Sequence, residues 1–191
     1  MEKTSILNSL FEVRADSETE KPIIYGRPIV YESTADMHYY EEVISRGALD
    51  KADLSDITLL VNHQNRMIPL ARHRANSIQN TLRLTVDENG MTFEAELDIE
   101  NNPTAQELYS AIKRGDITQM SFAFTVKEEE WSNLDTSKPI RRIIQIKKVY
   151  EISAVTNPAY KDTNINARSA VDEARADTRR TEQLKKLISI I

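Results

Sequence analysis

Leu82-Arg83-Leu84-Thr85-Val86-Asp87-Glu88-Asn89-Gly90-Met91-Thr92-Phe93-Glu94-Ala95-Glu96-Leu97 is the stretch that decides the fold class. Leu82, Leu84 and Val86 alternate with polar residues, Asp87 to Gly90 supply turn chemistry, and Met91, Phe93, Ala95 and Leu97 resume the alternation. Successive side chains of a strand point to opposite faces, so this pattern predicts a hairpin with one buried face. The same alternation dominates from about residue 10 to 160. Further strands are expected around Phe11–Ala15, Ile23–Tyr31, Ile57–Asn62, Ser121–Val126 and Ile140–Val155, the last long enough to bend or divide.

Two helices are expected between the strands. Asn102 before Pro103 offers an N-cap followed by proline at the first helical position, Ala105, Leu108 and Ile112 form an apolar stripe, and Gly115 suits the left-handed residue past the end. A shorter helix is expected from about Tyr39 to Ser45, ending at Gly47. Many strands and few helices predict a mainly β, α+β fold, a compact and mainly antiparallel barrel or sandwich with peripheral helices. Residues 1–9 lack a periodic signal and are expected to be flexible. A single domain spans 10–160, residues 161–170 form a linker, and 171–191 form an amphipathic segment carrying Val171, Ala174, Thr178, Leu184, Leu187 and Ile188.

The chain of 191 residues suits one domain with a real core. It contains no cysteine, which excludes disulfides, thiolate metal sites and cysteine nucleophiles. No apolar run reaches the roughly 18 residues of a membrane helix, and Met1-Glu2-Lys3-Thr4-Ser5 lacks a signal-peptide pattern, so neither membrane association nor export is expected. A net charge of −5 gives no general attraction to nucleic acid. With four glycines and no glycine-rich phosphate loop, no nucleotide, metal or other cofactor is expected.

His63 and Ser121 each adjoin an apolar, strand-like run, and Glu151 lies in a third. A histidine, a serine and a carboxylate on separate strands can build an activated nucleophile: neutral imidazole takes the hydroxyl proton while the carboxylate orients the ring. Leu59-Leu60-Val61-Asn62-His63-Gln64, Gln119-Met120-Ser121-Phe122-Ala123-Phe124 and Glu151-Ile152-Ser153-Ala154-Val155-Thr156-Asn157-Pro158-Ala159-Tyr160 resemble, in this order, segments of the HK97-type prohead (capsid maturation) proteases of tailed phages. Glu42-Val43-Ile44-Ser45-Arg46-Gly47-Ala48-Leu49 resembles the family's segment ahead of the histidine strand, so the likeness covers about residues 10 to 165. It implies a serine endopeptidase enclosed in the immature capsid within the bacterial host cytoplasm, cleaving scaffold or major capsid protein segments and itself, and able to form homo-oligomers. It also implies a β-barrel core like that of the herpesvirus assembly proteases.

The resemblance makes Ser121 the nucleophile, His63 the base and Glu151 the third member. Of the other histidines, His38 lies in a polar, aromatic loop, and His73 sits between Arg72 and Arg74, whose charges disfavour an imidazolium. A zinc site on His63 and His73 lacks further ligands at any recognisable spacing. Ser153 is read as the structural serine of its segment and Met120 as core packing. Asp116 is the substitute for Glu151, and a Ser–His dyad is the remaining arrangement. There is no Gly-x-Ser-x-Gly elbow and no Gly-Asp-Ser-Gly sequence. Oxyanion donors are expected among backbone amides, with Asn62 and the Asn157–Tyr160 turn as wall elements. The reading from another class is a non-enzymatic capsid-assembly module that binds scaffold through an exposed strand or the C-terminal helix.

Overall fold

The structure is a computed structural model that describes residues 4–9, 13–15, 22–156 and 164–188. Phe11, residues 161–163 of the expected linker and the Asn157–Tyr160 turn lie outside the described residues. In chain order the elements are β1 (Thr4–Ser9), β2 (Val13–Ala15), β3 (Ile23–Val30), β4 (Thr34–Asp36), β5 (Glu41–Ile44), β6 (Asp56–Val61), β7 (Ala71–Arg74), β8 (Leu82–Asp87), β9 (Gly90–Glu96), α1 (Pro103–Arg114), β10 (Gln119–Ser132), β11 (Ile140–Val155) and α2 (Asn164–Ile188).

The hairpin read first is β8–β9, and it joins β3 and β2 in a four-stranded antiparallel sheet of order β2-β3-β9-β8. Leu82, Met91, Phe93 and Ala95 are buried, as the alternation requires. Asp87 closes the turn: its Oδ1 accepts the Asn89 N–H, and both its oxygens accept from the Arg27 guanidinium at 2.6 Å. Gly90 has φ 135°, and a Cβ there would lie 2.0 Å from the Ile29 carbonyl oxygen, so only glycine lets β9 start against β3.

The second sheet has seven strands built around β11. One edge of β11 pairs with β10, which pairs in turn with β1. Its other edge is divided between β5, parallel to residues 140–143, and β6, parallel to residues 151–154. Repeated register shifts along β10–β11 let these two strands bend. Aliphatic and aromatic side chains of both sheets and of α1 meet in one core, including Ile24, Leu82, Phe93, Leu108, Phe122, Phe124, Ile146 and Ile152.

α1 is capped as its sequence predicts. Asn102 accepts from the Thr104 and Ala105 amides, and Gly115, at φ 80°, donates its amide to the carbonyls of Ala111 and Ile112. This cap turns the chain into β10 and so fixes where Ser121 enters the sheet.

Two expectations need correction. The fold is mainly β with two helices, but among the described residues its ladders form two sheets and no closed barrel, because two short parallel strands share one edge of β11. The helix expected over Tyr39–Ser45 is strand β5: Glu42, Val43 and Ile44 are all buried, and pairing along β11 satisfies their backbone, so tertiary context overrides the local pattern. Residues 4–9 form an edge strand on β10. α2 starts at Asn164, inside the expected linker, and is tied to the body: Val171 is 4% exposed, and the Arg175 guanidinium donates to the carbonyls of Leu134 and Thr136 in the β10–β11 loop.

Candidate active site

β6 delivers His63. The strand ends at Val61, and Asn62 and His63 follow in the left-handed region, at φ 49° and 57°. Two such residues in succession are held only where neighbours fix them, and asparagine tolerates the conformation better than most. Here the Asn62 amide donates to the Ala154 carbonyl at 2.9 Å, and Asn62 Oδ1 accepts from the Thr156 amide at 3.0 Å. Both anchors lie on or just past β11, so the turn is bolted to the strand that carries Glu151.

Glu151 and His63 meet. Glu151 Oε1 lies 2.5 Å from His63 Nδ1, and the two side chains are 9% and 19% exposed. A buried carboxylate needs a partner, and the imidazole is one. The second oxygen, Oε2, accepts from Ser153 Oγ at 2.6 Å, and the same hydroxyl accepts the His63 backbone N–H at 3.2 Å. With Nδ1 engaged, Nε2 is the ring atom left to exchange a proton; it is buried and makes no hydrogen bond.

Ser121 lies on the neighbouring strand. It is directly opposite Ser153 in the β10–β11 ladder, and Ala123 is opposite Glu151. Opposed residues share a face, so Ser121, Ser153, Ala123 and Glu151 project from the same side. Ser121 is fully buried, and since Nε2 has no partner, the Ser121–His63 hydrogen bond is not formed. A cleft of about 560 Å³ opens beside the pair, lined by Thr58, Leu60, His63, Met67, Ala123 and Glu151 among others; Ser121 is not part of its lining.

The competing residues lie elsewhere or are engaged. Asp116 bonds to the Arg114 guanidinium at the end of α1, Nε to Oδ2 at 2.8 Å, and does not approach His63. His73 stands on β7 opposite Ile57, and His38 stacks edge-on with Tyr39 in the loop after β4. Among the described residues no cluster of three or more histidine, aspartate or glutamate side chains could hold a metal. Among them too, no helix is long and apolar enough to cross a membrane. Ser153, expected as the structural serine of its segment, makes the second contact of Glu151 and also holds the His63 turn. Its signal was the two-residue spacing from Glu151, which on a strand puts both side chains on one face.

The family described as caudovirus prohead serine protease matches residues 9–177. The chain belongs to that family. The match runs from the end of β1 to just past the middle of α2 and contains His63, Ser121 and Glu151. Among solved structures, the capsid assembly protease of bacteriophage T4 is similar at 14% identity and a TM-score of 0.48, over 82% of this chain and 98% of that one. No curated protein matches.

Proposed function

We propose that this chain is a serine endopeptidase that cleaves scaffold or major capsid protein segments inside the immature capsid, and also itself, by way of an acyl-enzyme. The single observation that carries the reading is the His63–Glu151 pair held at the end of β6, with Ser121 on the same face of the adjacent strand pair. His63 Nε2 takes the Ser121 proton as Oγ attacks the peptide carbonyl. Glu151 accepts the Nδ1–H, holds the tautomer and stabilises the imidazolium, which then protonates the leaving amine. Water repeats the sequence on the acyl-enzyme. Because Ser121 is fully buried, acylation requires the wall between it and the cleft to open and the Ser121–His63 hydrogen bond to form as substrate enters. His63–Glu151 geometry and membership of the protease family both favour this over a purely assembling module.

The test joins two measurements. An alkyl fluorophosphonate should label the full chain at Ser121, located by mass spectrometry, with the bond from Oγ to phosphorus formed and fluoride released. Co-expression with the phage's major capsid and scaffold proteins should yield truncated products, absent with Ser121→Ala. Labelling at another serine, or cleavage that survives Ser121→Ala, would overturn the assignment.

A further inference from the structure

Ser153 is fully buried, and its one hydroxyl makes two bonds at once, donating to Glu151 Oε2 at 2.6 Å and accepting the His63 backbone N–H at 3.2 Å. We propose that Ser153 is a positioning residue of the catalytic site, whose hydroxyl ties the orienting carboxylate to the left-handed turn that carries the base. The inference rests on the roles of His63, Ser121 and Glu151 argued above and adds to them a residue that acts through two of the three.

The geometry separates the two opposed serines. Both Ser121 and Ser153 are fully buried, so exposure does not distinguish them. The contacts of Ser153 mark its place: its proton is committed to the Glu151 carboxylate, while its lone pair takes an amide of the histidine turn. With Oε1 held by Nδ1 and Oε2 by Ser153, both carboxylate oxygens are engaged and the plane of the group is set. Losing the Ser153 donor removes one of the two hydrogen bonds that fix the carboxylate against the ring.

The charged and titratable groups around the trio are few. Arg72 from β7 and Tyr150 from β11 line the same cleft, and Arg72 is paired with Asp56 of β6 at 2.6 Å. Arg66, in the loop after His63, lines a neighbouring cleft, and β10 contributes Ala123, which does not titrate. None of these hydrogen bonds replaces the Ser153 donor at Glu151.

The experiment measures the rate of fluorophosphonate labelling of the full chain against pH. Ser153→Ala should lower the plateau rate about tenfold, the scale of one hydrogen bond to a charged group. Ser153→Thr, which keeps the hydroxyl, should recover most of the loss. In a Glu151→Gln background, adding Ser153→Ala should change the rate by less than about twofold, because residues acting as a unit are non-additive. An unchanged plateau rate, or full multiplicative losses in the double variant, would overturn the proposal. Should Ser153→Ala lack a cooperative thermal transition, Ser153→Cys, which fills the space with a weak donor, carries the same rate test. Labelling that persists in Ser121→Ala would instead overturn the parent reading, while Ser121-dependent labelling indifferent to Ser153 would overturn this inference alone.

Discussion

Two buried glutamates flank opposite ends of β11, and their partners make them different devices. Glu42, 1% exposed, sits on β5 beside the start of β11 and accepts from Arg141 Nη1 at 2.8 Å. Arg141 also bonds Glu129 and Tyr40, completing a cluster across β5, β10 and β11. Glu151, near the far end of the same strand, pairs with His63. Guanidinium stays charged at any working pH, so the first pair is fixed; imidazole changes charge near neutrality, so the second can pass a proton. Burial pushes the Glu42 carboxyl above its ordinary value, Arg141 opposes that push, and burial raises the Tyr40 phenol to about 12. Similar burial thus meets a permanently charged partner at one end and a proton-exchanging one at the other, and under the proposed function only the second serves chemistry.

The largest effect that could break this comparison lies at the chemical end. His63→Ala should lower peptide cleavage by roughly four to six orders of magnitude, matching Ser121→Ala, since base and nucleophile act as a unit. Glu151→Gln should cost somewhat less, about three to four orders, and all three variants should still unfold cooperatively by circular dichroism. His73→Ala should retain activity. A His73 variant that is dead beside an active His63 variant would place the base on the wrong strand.

The structural end should respond in the opposite sense. Arg141→Leu leaves the Glu42 charge buried without its cation and should cost about 3–5 kcal/mol in urea unfolding. Replacing both, Glu42→Leu with Arg141→Met, should recover most of that loss, because an apolar pair of similar size substitutes well for a buried ion pair. Fluorophosphonate labelling per folded molecule should stay near that of the parent chain in both. Strong loss of labelling in the folded double variant would mean that the two ends are coupled along β11.

The smallest effect belongs to a third, partly exposed carboxylate. Hydrogen bonds from Arg27 and from the Asn89 amide hold Asp87 near a pKa of about 2, against the usual 3.8. Since the folded value is depressed, the folded state binds fewer protons in this window. The contribution is therefore full above about pH 4 and is lost as pH falls through about 2. Asp87→Asn should lower the melting temperature slightly at neutral pH, with the difference shrinking toward zero at pH 2. A difference independent of pH would mean that Asp87 acts through its Asx turn and not its charge.

How much was legible depended on how local each feature is. The hairpin at 82–97 and the helix at 103–114 were written in their own residues: a period of two around Gly90, and a stripe bounded by Asn102 and Gly115. Strand β5 was misread because Tyr39–Ser45 takes its conformation from β11, about a hundred positions on, and β1, β4 and β7 are short edge segments with little pattern of their own. Ser153 was visible as a residue but not as a donor, since its second bond reaches His63, 90 positions away.

By itself the sequence determined the β class, the capped helix, the absence of cysteine chemistry and the set of candidate side chains, because propensity, periodicity and residue chemistry are properties of short stretches. Only the tertiary structure decided that the ladders form two sheets, that Glu151 and not Asp116 reaches His63, and that the hydroxyl of Ser153 joins them. Those outcomes depend on strand pairing between distant segments. A parallel register that sets Glu151 beside Thr58 and Ala154 beside Val61 brings the end of β6, and hence His63, to the carboxylate.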